Sequence, residues 1–221
     1  MKIINKKTEK SLIDHFIRNL KKDYLKNKRL NKRFSFVLTG GQSPRKLYRE
    51  LAKNNIDWSN IDLFWGDERY VSHLSKYSNY KLAKNELINK IQINKENIFP
   101  IKTDKSIDKC SSDYSKNIKR YFKNKKITFD YCLLGMGRDG HVASLFPNSK
   151  NLNKKFITKP ITRKDFKRIT LSLNVINNSK KILLWLNNKS ISKIYMDLRK
   201  KGKTIPVNKL NKKKIVIYKI F

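Results

Sequence analysis

Residues 135–147 read GMGRDGHVASLFP and place Gly135, Gly137 and Gly140, three of only seven glycines in the chain, around His141, one of three histidines. Glycine costs conformational entropy, and it earns a position where the backbone must turn tightly or let another group approach closely. A neutral imidazole with one free ring nitrogen can act as a general base. Asp139, two residues before His141, is placed to orient the ring or hold its other N–H. The pattern predicts a helix beginning just after Gly140, with His141 in its first turn, where the positive end of the helix dipole favours the neutral ring. A lone histidine is more often structural, and the glycine context is what makes His141 a site candidate. Ser144 falls in the same predicted helix without the GxSxG elbow of a serine nucleophile, so a histidine-activated water is the simpler chemistry. His15 and His73 read as ordinary surface residues, and no histidine cluster suggests a metal site.

Two further stretches have chemistry-bearing residues at a turn. Thr39-Gly40-Gly41-Gln42-Ser43-Pro44 joins an apolar run to a helical one. Backbone amides at Gly40 and Gly41, with the Ser43 hydroxyl, suit a phosphate at a helix N-terminus. The stretch lacks the GK[ST] ending of a P-loop and the GxGxxG of a dinucleotide site, and its bland alternative is a plain strand-to-helix turn. Gly66-Asp67-Glu68-Arg69 offers an arginine fork suited to phosphate or carboxylate, against the alternative of a local surface ion pair.

These loops need a frame. Phe34–Leu38, Ile61–Trp65 and Phe129–Leu134 are short apolar runs that predict buried strands, and each ends at one of the three stretches. Helical periodicity predicts helices from Thr8 to about Leu30, after Ser43 as N-cap with Pro44 at N1, from Asn79 to about Ile91, from Cys110 to Phe122, and from about Ser190 to Lys200. Further strands are predicted at Arg168–Leu173, Lys181–Leu186 and Lys214–Ile220, with a short edge strand at Ile98–Ile101. Alternating strands and helices imply an α/β fold, Rossmann-like, with a mainly parallel sheet flanked by helices on both faces. Ligands in such sheets bind outside the carboxyl ends of the strands, so the three loops are expected to converge on one edge.

The chain has 221 residues, 38% hydrophobic, 11% aromatic and 32% charged, which predicts one α/β domain over 1–221 with a packed core and a solvated surface. Its net charge of +36, from 53 basic and 17 acidic residues, raises a nucleic-acid hypothesis. The lysines are spread along the whole chain with abundant Asn and Ile, which reads as compositional drift and not as a binding stripe, so no specific nucleic-acid partner is expected. Cys110 and Cys132 form no CxxC, and a reducing compartment fits. No segment approaches the roughly 18 apolar residues of a membrane span, and the amino-terminal residues have no apolar signal core, so a soluble cytoplasmic protein, monomeric by default and without a membrane partner, is expected.

In order along the chain, LTGGQSPRKLYREL, FWGDERYVSHLSKYSNYKLA, FDYCLLGMGRDGHVASLFP and RITLSLNVINNSKKILLWL resemble the motifs of the 6-phosphogluconolactonase family, within a wider group of sugar-phosphate isomerases and deaminases. The resemblance covers nearly the whole chain. It implies hydrolysis of a sugar-phosphate lactone, 6-phospho-D-glucono-1,5-lactone, in the oxidative pentose phosphate pathway, with no metal or cofactor. It also implies that His141 is the base that activates water. Gly41, Gln42, Ser43 and Arg69 match positions around the phosphate or sugar, and Arg168 matches a family arginine to which the motif attaches no role. Backbone N–H groups near Gly137 or Gly140, or the Arg69 guanidinium, are candidate oxyanion donors.

The chain departs from the family pattern after the penultimate strand, where a GxxK is usual. Here the sequence is LNNKSISK, with Asn188 in place of glycine and the lysine register open between Lys189 and Lys193. Arg138 is a further basic side chain with no assigned task. The nearest rival is an enzyme acting on glucosamine 6-phosphate, whose motif usually continues IAFNEP where this chain has VASLFP, and which has a DEY-type motif where this chain has DER. A basic nucleic-acid-binding module is the rival from another class, and it would need exposed aromatic surface, whereas Trp58, Trp65 and Trp185 fall in or beside predicted core strands.

Overall fold

The computed structural model describes residues 1–149, 152, 155–200, 202 and 204–221. In chain order the strands and α-helices are β1 (Lys2–Lys6), α1 (Glu9–Arg29), β2 (Phe34–Leu38), α2 (Arg45–Lys53), β3 (Ile61–Trp65), β4 (Asp67–Arg69), α3 (Asn79–Glu86), β5 (Ile98–Phe99), α4 (Ile107–Tyr121), β6 (Tyr131–Leu134), β7 (Thr158–Thr162), β8 (Lys167–Leu171), α5 (Leu173–Asn178), β9 (Lys181–Leu186), α6 (Lys189–Leu198) and β10 (Ile215–Ile220).

Seven strands form one sheet in the order β1-β10-β9-β6-β2-β3-β5, and every neighbouring pair in it is parallel. Side chains alternate between faces along a strand, so the register sorts the core into two layers. On one face Phe36, Tyr131, Trp185 and Tyr218 pack on Phe16 of α1, with ring centroids 5.4–6.4 Å from it. On the other face Phe64 packs on Tyr121 of α4 at 4.9 Å. Helices therefore cover both faces, as parallel strands require to bury their apolar residues. The amphipathic α1 is capped by Thr8, whose hydroxyl accepts the Ser11 N–H. Trp58, Trp65 and Trp185 are all buried, so none offers an exposed stacking platform. Cys110 and Cys132 are buried free thiols, and burial pushes the Cys132 thiol up to about 12. Among the described residues no helix is long and apolar enough to cross a membrane.

The structure corrects several expectations. A second, antiparallel sheet, β4-β8-β7, stands apart from the first, so the strand expected at Arg168–Leu173 belongs to it and not to the parallel sheet. The segment expected as a polar loop after Gly66 is its edge strand β4. At Gly66 the chain passes from one sheet to the other: its N–H donates to the Leu38 carbonyl of β2 and its carbonyl accepts from Leu171 of β8. The expected edge strand shortens to Ile98–Phe99, where Pro100 interrupts the pairing. The helix from Asn79 ends at Glu86 and passes into a 3-10 turn. His15 is half-buried beside Tyr218 and not on the open surface.

β2 and β6 are neighbours, yet the chain leaves β2 toward β3 on one side and passes from β6 toward β9 on the other. Loops that diverge in this way open a crevice at the strands' carboxyl ends.

Candidate active site

That crevice holds a cavity of about 230 Å³, bordered by the turns after β2 and β6, by β4 and β8, and by the start of α3. The expected convergence of the three loops is therefore what the fold produces. Of the residues singled out from sequence, Gly40, Gly41, Gln42, Ser43, Arg69, Gly137, His141 and Arg168 line it.

The turn that carries His141 is not a helix. It is closed by hydrogen bonds from the Gly137 N–H to the His141 carbonyl (3.0 Å) and from the Gly140 N–H to the Gly137 carbonyl (2.9 Å), followed by a tight turn from Val142 to Leu145. The helix expected after Gly140 is absent, and with it the helix-dipole reason for a neutral imidazole. What orients the ring instead is direct contact with Asp139. Nδ1 of His141 lies 2.6 Å from Oδ1 of Asp139, which also accepts the His141 backbone N–H at 3.1 Å. With Nδ1–H donated to the carboxylate, Nε2 has the free lone pair that a general base needs.

The glycines have separate tasks. A Cβ on Gly137 would fall 2.1 Å from Cε1 and 2.2 Å from Nδ1 of His141, so the ring occupies the space a side chain would fill. Gly140 has φ of +82°, which L-residues avoid, and a Cβ there would meet Ile205 at 2.3 Å. Ser144 is fully buried and anchors the turn: its hydroxyl donates to Oδ2 of Asp67 at 2.6 Å and its N–H donates to the Thr170 hydroxyl at 3.2 Å. Phe146 packs on the His141 ring at 4.6 Å between centroids.

On the opposite wall, Gly41 takes φ of +82° and α2 starts at Arg45 with Pro44 as N-cap. Ser43 is thus not the cap that the sequence suggested; its hydroxyl donates to Oδ1 of Asn187 at 2.9 Å. The first turn of α2 has no side-chain cap, which leaves amide donors of the kind that hold an anion at a helix N-terminus.

Arg69 and Arg168 sit directly opposite each other in the β4–β8 pair. Nη1 of Arg69 donates to the Tyr77 carbonyl at 2.8 Å, and Nη2 of Arg168 donates to Asp165. The Nε of each is buried without a partner among the described residues. Glu68, between Asp67 and Arg69, is buried, and burial pushes its carboxyl up to about 7 against the pull of donors from Asn79, Tyr80, Arg69 and Ser78. It thereby clamps the start of α3 to β4.

Asp67 and Asn79 also border the cavity and were not among the sequence candidates. Asn79 donates through Nδ2 to the carbonyl and Oδ1 of Asp67 at 2.9 and 3.2 Å, and a Cβ on Gly40 would lie 1.8 Å from its Oδ1. The available signal was the Ser78-Asn79 pair opening a helix behind the GDER loop. Arg138 is exposed and does not border the cavity; neither does Asp139, which acts on it through His141.

A mainly parallel α/β sheet with a polar cavity at its switch point, walled by an anion-ready turn and a carboxylate-held histidine, defines a class of small-molecule-binding α/β proteins. The chain belongs to the family of glucosamine-6-phosphate isomerases/6-phosphogluconolactonase, whose model matches residues 7–218. It is similar to a 6-phosphogluconolactonase of a Nostoc species, 34% identical over 156 residues that make up 68% of this chain and 65% of that protein. It is also similar to a probable chloroplastic 6-phosphogluconolactonase 4 of Oryza sativa subsp. indica, 38% identical over 162 residues, 66% of this chain and 50% of that protein. The chain thus spans between half and just under two thirds of the length of these curated relatives. The crystal structure of a 6-phosphogluconolactonase from Thermotoga maritima superposes with a TM-score of 0.86 at 25% identity, covering 99% of this chain and 98% of that one.

Proposed function

We propose that the protein hydrolyses 6-phospho-D-glucono-1,5-lactone to 6-phospho-D-gluconate, as a single α/β domain in the cytoplasm and as a step of the oxidative pentose phosphate pathway. The observation that carries this reading is the Asp139–His141 pair, with Nδ1 held at 2.6 Å and the ring bordering the same cavity as the Gly40–Ser43 turn. A δ-lactone is already reactive toward water, so catalysis needs an anchored phosphate, one positioned water and a stabilised oxyanion. In this reading the Gly40 and Gly41 turn, the uncapped start of α2 and Arg69 anchor the phosphate. Nε2 of His141 takes a proton from the attacking water, and Asp139 stabilises the imidazolium that forms. Gln42 and Ser43 shape the turn, with the Ser43 hydroxyl committed to Asn187. The names of the similar proteins support the choice of substrate.

The test is to generate the lactone in situ and follow its loss against spontaneous hydrolysis. The wild type is expected to accelerate it, and His141→Ala to lose at least about a hundredfold in kcat. Asp139→Asn, which keeps the shape but not the charge, is expected to lose a comparable amount. An unchanged rate in His141→Ala would remove the histidine from the mechanism.

A further inference from the structure

Arg168 is buried, with 8% of its surface exposed, and among the described residues its guanidinium makes a single hydrogen bond, from Nη2 to Asp165. Asp165 stands on the exposed turn between β7 and β8, with 56% of its side chain in solvent. Nε of Arg168 is buried and unpaired among the described residues. Directly across the strand pair is a second cation, Arg69, whose Nε is likewise unpaired and whose nearest partner is a neutral carbonyl. Like charges facing each other across a strand pair destabilise it, and a buried guanidinium with open donors costs more still. An anionic ligand between them would offset both costs.

The two arginines do not occupy equivalent places. Arg69 borders the main cavity and also the adjoining one of about 450 Å³, which it shares with Gly41 and Gln42 of the phosphate-type turn. Arg168 borders the cavity that contains His141 and is not among the residues that line the adjoining one. Its guanidinium carbon lies 5.6 Å from the centre of the Phe146 ring, the same ring on which His141 packs at 4.6 Å. Arg168 is therefore at the histidine end of the cavity and Arg69 at the glycine-turn end.

We propose that Arg168 is a catalytic residue that holds the oxyanion formed at C1 of the lactone, and afterwards the product carboxylate. The proposal rests on the lactonase reading above. Water attacks C1 as its proton passes to Nε2 of His141; the new C–O bond forms and the carbonyl π pair moves onto oxygen, where the free Nη1–H of Arg168 donates to it. On collapse the C=O re-forms, the bond from C1 to the ring oxygen breaks, and the proton on Nε2 passes to that oxygen. The acid released at C1 ionises to a carboxylate, which retains the arginine's hydrogen bond. A guanidinium fixed by Asp165 and by the rings of Phe146 and Phe166 is preorganised for this charge, which is the condition under which such donors are most effective.

The experiment compares wild type, Arg168→Gln, Arg168→Lys and Arg69→Gln in lactone hydrolysis. It also measures inhibition by 6-phosphogluconate, which has phosphate and carboxylate, and by glucose 6-phosphate, which has phosphate alone. Arg168→Gln is expected to lose about a hundredfold to a thousandfold in kcat with KM changed by less than about threefold. Inhibition by 6-phosphogluconate should weaken about tenfold or more in this variant while inhibition by glucose 6-phosphate stays, and Arg69→Gln should weaken both alike. If Arg168→Gln does not fold, Arg168→Lys, which keeps the charge without the fork, decides by the same ratio of the two inhibitors. A variant with near-wild-type kcat, or equal loss of both inhibitors on changing Arg168, overturns the oxyanion role while leaving the lactonase reading intact. Wild-type protein that fails to accelerate lactone loss overturns that reading, and the proposal with it.

Discussion

The imidazole of His141 rests on the α-carbon of Gly137, so closely that a Cβ at residue 137 would lie 2.1 Å from Cε1 of the ring. Gly137 is thus the floor on which the candidate base is set, and its lack of a side chain is a condition of the Asp139–His141 hydrogen bond. Gly137 does not take a positive φ, so what an alanine there would meet is the ring and, at 2.9 Å, Oδ1 of Asp139. Gly137→Ala is therefore expected to leave the melting temperature within a few degrees of wild type while displacing the imidazole and lowering kcat by about a hundredfold or more. Thermal unfolding and lactone turnover on the same preparation check this. An active Gly137→Ala protein would show that the ring need not sit where it does.

Gly40 and Asn79 form a second such pair, between the glycine turn and the start of α3. A Cβ on Gly40 would lie 1.8 Å from Oδ1 and 2.0 Å from Cγ of Asn79. Gly40→Ala is expected to destabilise the fold by about 1–3 kcal/mol through overpacking. In Gly40→Ala/Asn79→Ala part of that loss should return, giving a coupling of at least about 1 kcal/mol in a double-mutant cycle. Denaturant unfolding of the four proteins measures it, and additive losses would contradict the contact.

Glu68 gives the stability a pH dependence of known sign. Burial holds its folded-state pKa at about 7, above the ordinary 4.5. Between these values the folded protein binds more protons at this group than the unfolded chain does, so the contribution of Glu68 is full below about 4.5 and is lost as pH rises through about 7. The interval corresponds to at most about 3–4 kcal/mol. Glu68→Gln cannot titrate, so the difference in unfolding free energy between wild type and variant should shift in the variant's favour between pH 5 and pH 8. Parallel profiles for the two proteins would be the contrary result.

Much of this molecule was legible in the chain because the signals are local. The apolar runs at Phe34–Leu38, Ile61–Trp65 and Phe129–Leu134 specify buried parallel strands, the last formed over Tyr131–Leu134, and glycine or polar residues mark where each stops. Those endings placed the glycine turn, the GDER stretch and the histidine turn at one edge of one sheet, which brought Gly41, Arg69, Gly137 and His141 to a common cavity. The pairing of Asp139 with His141 was likewise readable, because two residues of spacing in a glycine-rich turn keep both groups together.

The remainder depended on partners distant in sequence. β4 is three residues long, too short for a period of its own, and it is a strand only because β8, about a hundred residues later, supplies its hydrogen bonds. That pairing sets Arg168 opposite Arg69 at the border of the cavity. The segment after Gly140 has helical spacing but forms a tight turn, because the Ser144 side chain and N–H are committed to Asp67 and Thr170. Local periodicity thus determined the parallel strands and the positions of their loops, while the antiparallel sheet, the shape of the histidine turn and the facing arginines were decided by long-range hydrogen bonds that no window of sequence contains.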